Sequence, residues 1–140
     1  MFKHLLLAVD GSDHSLRATD KAIELANLSG EEASIEVIYV VDGKKSKADV
    51  LQYGDSDSVS RKRVEMLKQF EEKIEAARLT AKVTVLHGEP AETIIEYANN
   101  GSFDALVIGS RGLSTVQTMI LGSVSHKVMK HVKAPVMMVK

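Results

Sequence analysis

Ala105-Leu-Val-Ile-Gly109-Ser-Arg-Gly112, followed after nine residues by Gly122-Ser-Val-Ser125, is the stretch that decides how this chain folds. Its first four residues, Ala105 to Ile108, are a short continuous apolar run, the pattern of a strand buried on both faces. Glycines follow at once, and Val124, Val128 and Val132 then recur at the spacing of a helix stripe. A buried strand, a glycine turn and an amphipathic helix form the repeating unit of a parallel α/β sheet.

The same unit extends in both directions. Apolar runs at Leu5 to Val9, Ile35 to Val41, Val83 to Leu86 and Val136 to Val139 read as four more strands. Between them, helical spacing appears at Leu16, Ala22, Ile23 and Ala26, then at Met66, Leu67, Phe70, Ile74 and Ala77, and again at Ala91, Ile94, Ile95 and Ala98. The alternation requires right-handed crossovers. It therefore predicts a doubly wound α/β domain over residues 1–140, with a five-stranded parallel sheet in the order 3-2-1-4-5 and helices on both faces. In such a sheet a ligand sits beyond the carboxyl ends of the strands, where the order reverses between strands 1 and 4. The residues to inspect are those just after Val9, Val41 and Ile108.

Local signals set the boundaries. Ser12 or Asp13 caps the first helix, Pro90 suits a first helical turn, and Gly30 fits a helix end. The polar stretch from Asp42 to Ser58 has Gly43 and Gly54 and no sustained period, so it reads as a long loop, either a lid or a plain connection.

Composition narrows the function classes. At 140 residues the chain has the size of one domain, and 44% hydrophobic with 26% charged residues is ordinary for a folded globular protein. A net charge of -1 argues against a nucleic-acid binder, which carries a basic excess. The absence of cysteine excludes disulfides and thiolate metal sites. No apolar run approaches the roughly 18 residues of a membrane span, and no secretory leader is visible, so a cytoplasmic location is expected.

The chemistry concentrates at the glycines. Glycine lets backbone N–H groups approach an anion without a Cβ in the way. The second glycine segment opens a helix, whose start offers free N–H donors and the positive end of the dipole. Gly109, Gly112 and Gly122, with hydroxyls at Ser123 and Ser125 and the cation of Arg111, thus suit a polyphosphate. The same residues also suit an ordinary strand-exit turn and a plain helix cap. Asp10, after strand 1, is placed either to meet a ribose hydroxyl or a phosphate-bridging Mg²⁺, or to close an Asx turn that caps the first helix. Val40 and Val41 are either adenine-stacking residues or core.

Two commoner phosphate motifs are missing. There is no GxxxxGK[ST], and no GxGxxG follows strand 1. The five histidines show no HExxH, and His126 and His131 lie five apart, unsuited to sharing a metal. A response regulator needs a second carboxylate after strand 3, where this chain has His87-Gly88. A flavin carrier needs aromatic rings, and this chain has no Trp and three Tyr.

Taken together, Ala8-Val9-Asp10-Gly11-Ser12, Tyr39-Val40-Val41, Gly88-Glu89-Pro90 and the Gly-x2-Gly-x9-Gly-Ser motif from Gly109 resemble the universal stress protein family, in particular its ATP-binding class. The resemblance covers essentially the whole chain. It implies a nucleotide site in which Asp10 stands beside the ribose and a Mg²⁺ or Mn²⁺, Ala8 lines the pocket, and the backbone of Val40 reads adenine. Gly109, Arg111, Gly112, Gly122, Ser123, Val124 and Ser125 are implied to hold the phosphates. It also implies a homodimer, through an edge strand at Pro135 to Val139, whose apolar character independently invites a partner.

Efficient phosphoryl transfer needs a base and dense positive charge at the γ-phosphate. Arg111 and Asp10 are the obvious groups here. The expectation is therefore an ATP-binding stress-response protein acting as a nucleotide-dependent sensor or adaptor on an unidentified protein partner. A slow ATPase or autophosphorylating enzyme and a ligand-free interaction module are the alternatives.

Overall fold

A computed structural model of the protein describes residues 2–29, 32–41, 56–110 and 122–140. Its strands are β1 (His4–Ala8), β2 (Ser34–Val41), β3 (Thr80–His87), β4 (Ala105–Gly109) and β5 (Val136–Val139). They alternate with α1 (Asp13–Asn27), α2 (Ser56–Ala76), α3 (Pro90–Asn100) and α4 (Ser123–His131). All neighbours in the sheet are parallel, and the order is β3-β2-β1-β4-β5, as the alternation of apolar runs predicts.

The continuous apolar runs arise because both faces of the sheet are covered. Leu5 and Leu7 of β1, with Ile35, Val37, Ala105 and Val107, face one layer, where Ala18, Ala22 and Ala26 of α1 and Leu67, Phe70 and Ile74 of α2 complete the core. Leu6 and Ala8, with Ile38, Leu106 and Ile108, face the other, against Ile94 and Ala98 of α3 and Val128 of α4. Successive side chains of β1 thus enter different cores, which leaves no face for a polar residue. Small residues on α1 let it lie close to the central strands.

Boundary residues follow the expected chemistry with two refinements. Ser12 is the N-cap of α1, its hydroxyl accepting from the Ser15 N–H at 3.3 Å. At α3, Pro90 sits in the first turn as expected, but the cap is Glu89, whose carboxylate accepts from the N–H groups of Ala91 (3.2 Å) and Glu92 (2.7 Å). The expected loop from Asp42 to Ser58 is too long at its end, because α2 already begins at Ser56. The polar residues Ser56, Asp57 and Ser58 carry no apolar stripe, which is why periodicity misses this turn. Residues 42–55 and Gly30 lie outside the described residues, as do Arg111 and Gly112. Among the described residues no helix is long and apolar enough to cross a membrane.

Candidate functional site

The order reversal puts β1 and β4 side by side at the centre of the sheet, with Ala8 opposite Ile108. Their carboxyl ends therefore bring the Asp10-Gly11-Ser12 turn next to Gly109. On the other side of β1, Ala8 pairs with Ile38, and two residues further along each chain stand Asp10 and Val40. Three segments remote in sequence thus meet at one edge of the sheet.

The Asp10 turn is tightly organised. Asp10 Oδ1 accepts from the Ser12 N–H at 2.9 Å and from the Ser15 hydroxyl at 2.7 Å, while the Asp10 N–H donates to Ser15 Oγ at 2.8 Å. The Asx turn offered as one reading of Asp10 is present, and it fixes the carboxylate. Gly11 has φ of +86°, a left-handed conformation that a side chain would strain. Ser15 was not among the sequence candidates. Its signal was the Ser12-x-x-Ser15 spacing of a capping box, here with the second serine reaching back past the cap to Asp10.

The second glycine segment is joined directly to the end of β4. The Gly122 N–H donates to the Ser110 carbonyl at 2.9 Å, and the buried Ser125 hydroxyl donates to the Gly109 carbonyl at 2.6 Å. Ser125 was expected to offer its hydroxyl to a ligand, yet here that hydroxyl locks α4 onto β4. The N-cap of α4 is Gly122, with no side-chain hydrogen bond to the first turn, so the plain-cap reading of Ser123 does not hold. Ser123 is instead the first helical residue and is exposed. The start of α4 presents N–H donors that no side chain among the described residues caps, beside the exit of β4.

Gly109 has a packing role that spacing did not reveal. A Cβ there would stand 2.8 Å from the Cβ of His14 in the first turn of α1. The Nδ1 of that histidine is buried and has no hydrogen-bond partner among the described residues. Ala8 and Val124 point into the core below the α3 and α4 layer, Ala8 fully and Val124 in part, and Val40 packs partly against the same cluster. Backbone groups of these three are what remains for the site edge. Among the described residues, no three His, Asp or Glu side chains gather as a metal-ligand set.

A polar cluster away from this edge also escaped sequence reading. Glu36 of β2 is 5% exposed, and its Oε2 accepts from the Thr84 hydroxyl at 2.9 Å and from the Tyr97 hydroxyl. The bond to Glu36 raises the Tyr97 pKa above its usual value, with burial adding to the shift. Its signal was a lone acid inside an apolar strand run, between Ile35 and Val37.

The family model described as the universal stress protein family matches residues 1–140. Universal stress protein YxiE of Bacillus subtilis is 32% identical, with all of both chains covered. Among solved structures, the hypothetical protein MJ0577 superposes with a TM-score of 0.87 at 22% identity, covering 100% of this chain and 96% of that one, a likeness of fold. The universal stress protein from Archaeoglobus fulgidus in complex with dAMP has a TM-score of 0.72 at 26% identity, covering 100% of this chain and 98% of that one.

Proposed function

We propose that this chain, which belongs to the universal stress protein family, binds ATP at the carboxyl edge of β1 and β4 and acts as a nucleotide-dependent sensor or adaptor. The observation that carries the reading is the start of α4, where the cap residue Gly122 makes no side-chain hydrogen bond and its N–H ties the helix back onto the exit of β4 at Ser110. N–H donors at the positive end of a helix, bordered by the exposed Ser123 hydroxyl, suit a phosphate chain. The fixed Asp10 carboxylate, one strand away, suits a ribose hydroxyl. The backbone at Val40, in line with Asp10 on β2, suits the base. That a relative of similar fold is a dAMP complex supports an adenine nucleotide as the ligand class.

A divalent cation fits this edge only in company with phosphate. Asp10 is a single carboxylate whose Oδ1 already accepts two hydrogen bonds, and Mg²⁺ commonly takes one or two carboxylates plus phosphate oxygens and waters. Asp10 would hold it, and the cation would neutralise phosphate charge. Gly109, Gly122, Ser123, Val124 and Ser125, the last through its backbone N–H because its hydroxyl bonds the Gly109 carbonyl, form the phosphate side of the proposal, together with Arg111 and Gly112.

The apolar β5, at the edge of the sheet with Met137 36% exposed, supports a homodimer through strand pairing.

The test is thermal unfolding of the purified protein with Mg-ATP. A ligand at 100 times its dissociation constant adds about 2.7 kcal/mol of stability. Gly122→Val should abolish the shift by filling the space in front of the α4 donors. A wild-type protein with no shift at millimolar Mg-ATP would refute nucleotide binding. Turnover of ATP at about 1 per second or faster, in the range of ordinary enzymes, would instead favour a hydrolase over a sensor.

A further inference from the structure

The second helix is longer than the sheet it covers. With 21 residues α2 spans about 31 Å, and the relation of α2 to α1 fixes how that length is distributed. Met66 lies against the Asp10-Gly11-Ser12 turn, its Cγ and Sδ each 3.5 Å from where a Cβ on Gly11 would be. Seven residues further on, Lys73 Nζ meets Asp20 Oδ1 of α1 at 2.7 Å. Asp20 is itself seven residues past Asp13, the first residue of α1. The two helices therefore descend side by side from the same level. Met66 marks the carboxyl edge of the sheet, and the ten residues from Ser56 to Glu65 rise about 15 Å above it.

The inward stripe of α2 continues into this overhang. Met66, Leu67, Phe70 and Ile74 face the core, Leu67, Phe70 and Ile74 fully buried. Stepping back from Leu67 by four, from Met66 by three and from Phe70 by seven arrives each time at Arg63. Arg63 is half-buried, whereas Arg61, Lys62, Val64 and Glu65 around it are exposed. Its neighbours at three and four residues on the same helix are Val59, Ser60, Met66 and Leu67, none of them acidic. Among the described residues its guanidinium makes no hydrogen bond or ion pair. A cation thus sits one helical turn above Met66, on the face of α2 that overlooks the Asp10 turn, with no partner among the described residues.

We infer that Arg63 is a phosphate-contacting residue that selects nucleoside polyphosphates over monophosphates and nucleosides at this site. The inference rests on the nucleotide reading of the β1 and β4 edge. A guanidinium forms charge-assisted, often bidentate bonds to phosphate oxygens, and it remains charged at all working pH values. Arg63 stands at the rim above the Asp10 turn, so its reach of several ångströms suits the outer phosphates of a chain whose base and ribose lie deeper. Adenosine, lacking phosphate, gains nothing from it.

The test measures binding of ATP, AMP and adenosine, each by calorimetry, to the full-length wild type and to Arg63→Gln, Arg63→Lys and Lys68→Gln. Lys68 lies on the outward face of α2, 68% exposed and 4.0 Å from Glu72, and controls for the loss of one charge. The expected result is that Arg63→Gln weakens ATP about tenfold, the low end for a hydrogen bond to a charged group, and leaves adenosine within twofold. Arg63→Lys should recover part of the loss, and Lys68→Gln should match wild type. Retained adenosine binding also reports that the variant is folded. If Arg63→Gln binds ATP as wild type does, or loses ATP and adenosine equally, the role of Arg63 is overturned while nucleotide binding stands. Failure of wild type to bind any of the three removes the nucleotide reading and Arg63 with it.

Discussion

Gly109 reads in the sequence as a residue that lets a ligand approach, but its packing against His14 gives it a reason to be glycine with no ligand present. In Gly109→Ala the new Cβ would stand 2.8 Å from His14 Cβ and 3.2 Å from both the carbonyl carbon and the carbonyl oxygen of His14. Two of these atoms are backbone in the first turn of α1, where Ser12 and Ser15 fix the chain, so neither rotates away. Overpacking of this kind costs about 1–3 kcal/mol. Against it, replacing glycine stiffens the unfolded chain and gives back about 0.4–1 kcal/mol. The expected net destabilisation of the ligand-free protein is therefore roughly 1–2 kcal/mol, a drop of about 1 M in the urea midpoint for a typical slope. A double-mutant cycle sharpens the test. His14→Ala keeps the Cβ and both backbone atoms, so it should not rescue Gly109→Ala. His14→Gly removes the 2.8 Å contact alone and should rescue it in part, after correction for its own helix cost of about 1 kcal/mol. Equilibrium urea unfolding without nucleotide supplies all the free energies. If Gly109→Ala were within about 0.5 kcal/mol of wild type, the size of an ordinary surface substitution, the close contact of α1 with β4 would not be what requires glycine. Full rescue by His14→Ala would refute the reasoning equally, because it would point to the imidazole instead of the backbone.

Two further outcomes follow from the fold. Tyr97→Phe takes a hydroxyl donor from the buried Glu36 and leaves it with Thr84, at a cost of about 1–3 kcal/mol by urea unfolding. The pH dependence has a definite sign: the folded pKa of Tyr97 is raised above 10.0, so its contribution is complete below that pH and is lost as pH rises through the folded value. The stability difference between wild type and Tyr97→Phe should accordingly shrink in that alkaline window, and a difference that grew there would contradict the Glu36 bond. At the sheet edge, the proposed β5 pairing predicts a dimeric wild type and a folded monomer for Met137→Lys by sedimentation velocity, since the lysine occupies an exposed position on β5. A wild-type monomer at tens of micromolar, or a variant that stays dimeric, would remove β5 pairing.

The sequence by itself determined the sheet. Runs such as Leu5 to Val9 and Ala105 to Ile108 are apolar at every position because each successive side chain enters a different core, and that pattern leaves little choice but parallel strands covered on both sides. Once the alternation was read, strand order and the location of the β1 and β4 edge followed from connectivity. Residue roles at that edge were less legible, since one residue type serves several purposes. A serine after a glycine reads as a ligand donor, a cap or a lock, and only the 2.6 Å bond from Ser125 to the Gly109 carbonyl identifies the lock. Gly109 itself is explained by His14, 95 positions earlier in sequence. Periodicity could mark the stripe of α2 but not its height, because hydrophobic spacing records which face of a helix is inward and says nothing of how far the helix extends past its sheet. The contact of Met66 with Gly11 and the pairing of Lys73 with Asp20 set that height, and with it the position of Arg63. Faces are written in local spacing, whereas levels and contacts between distant segments come into being when the layers pack.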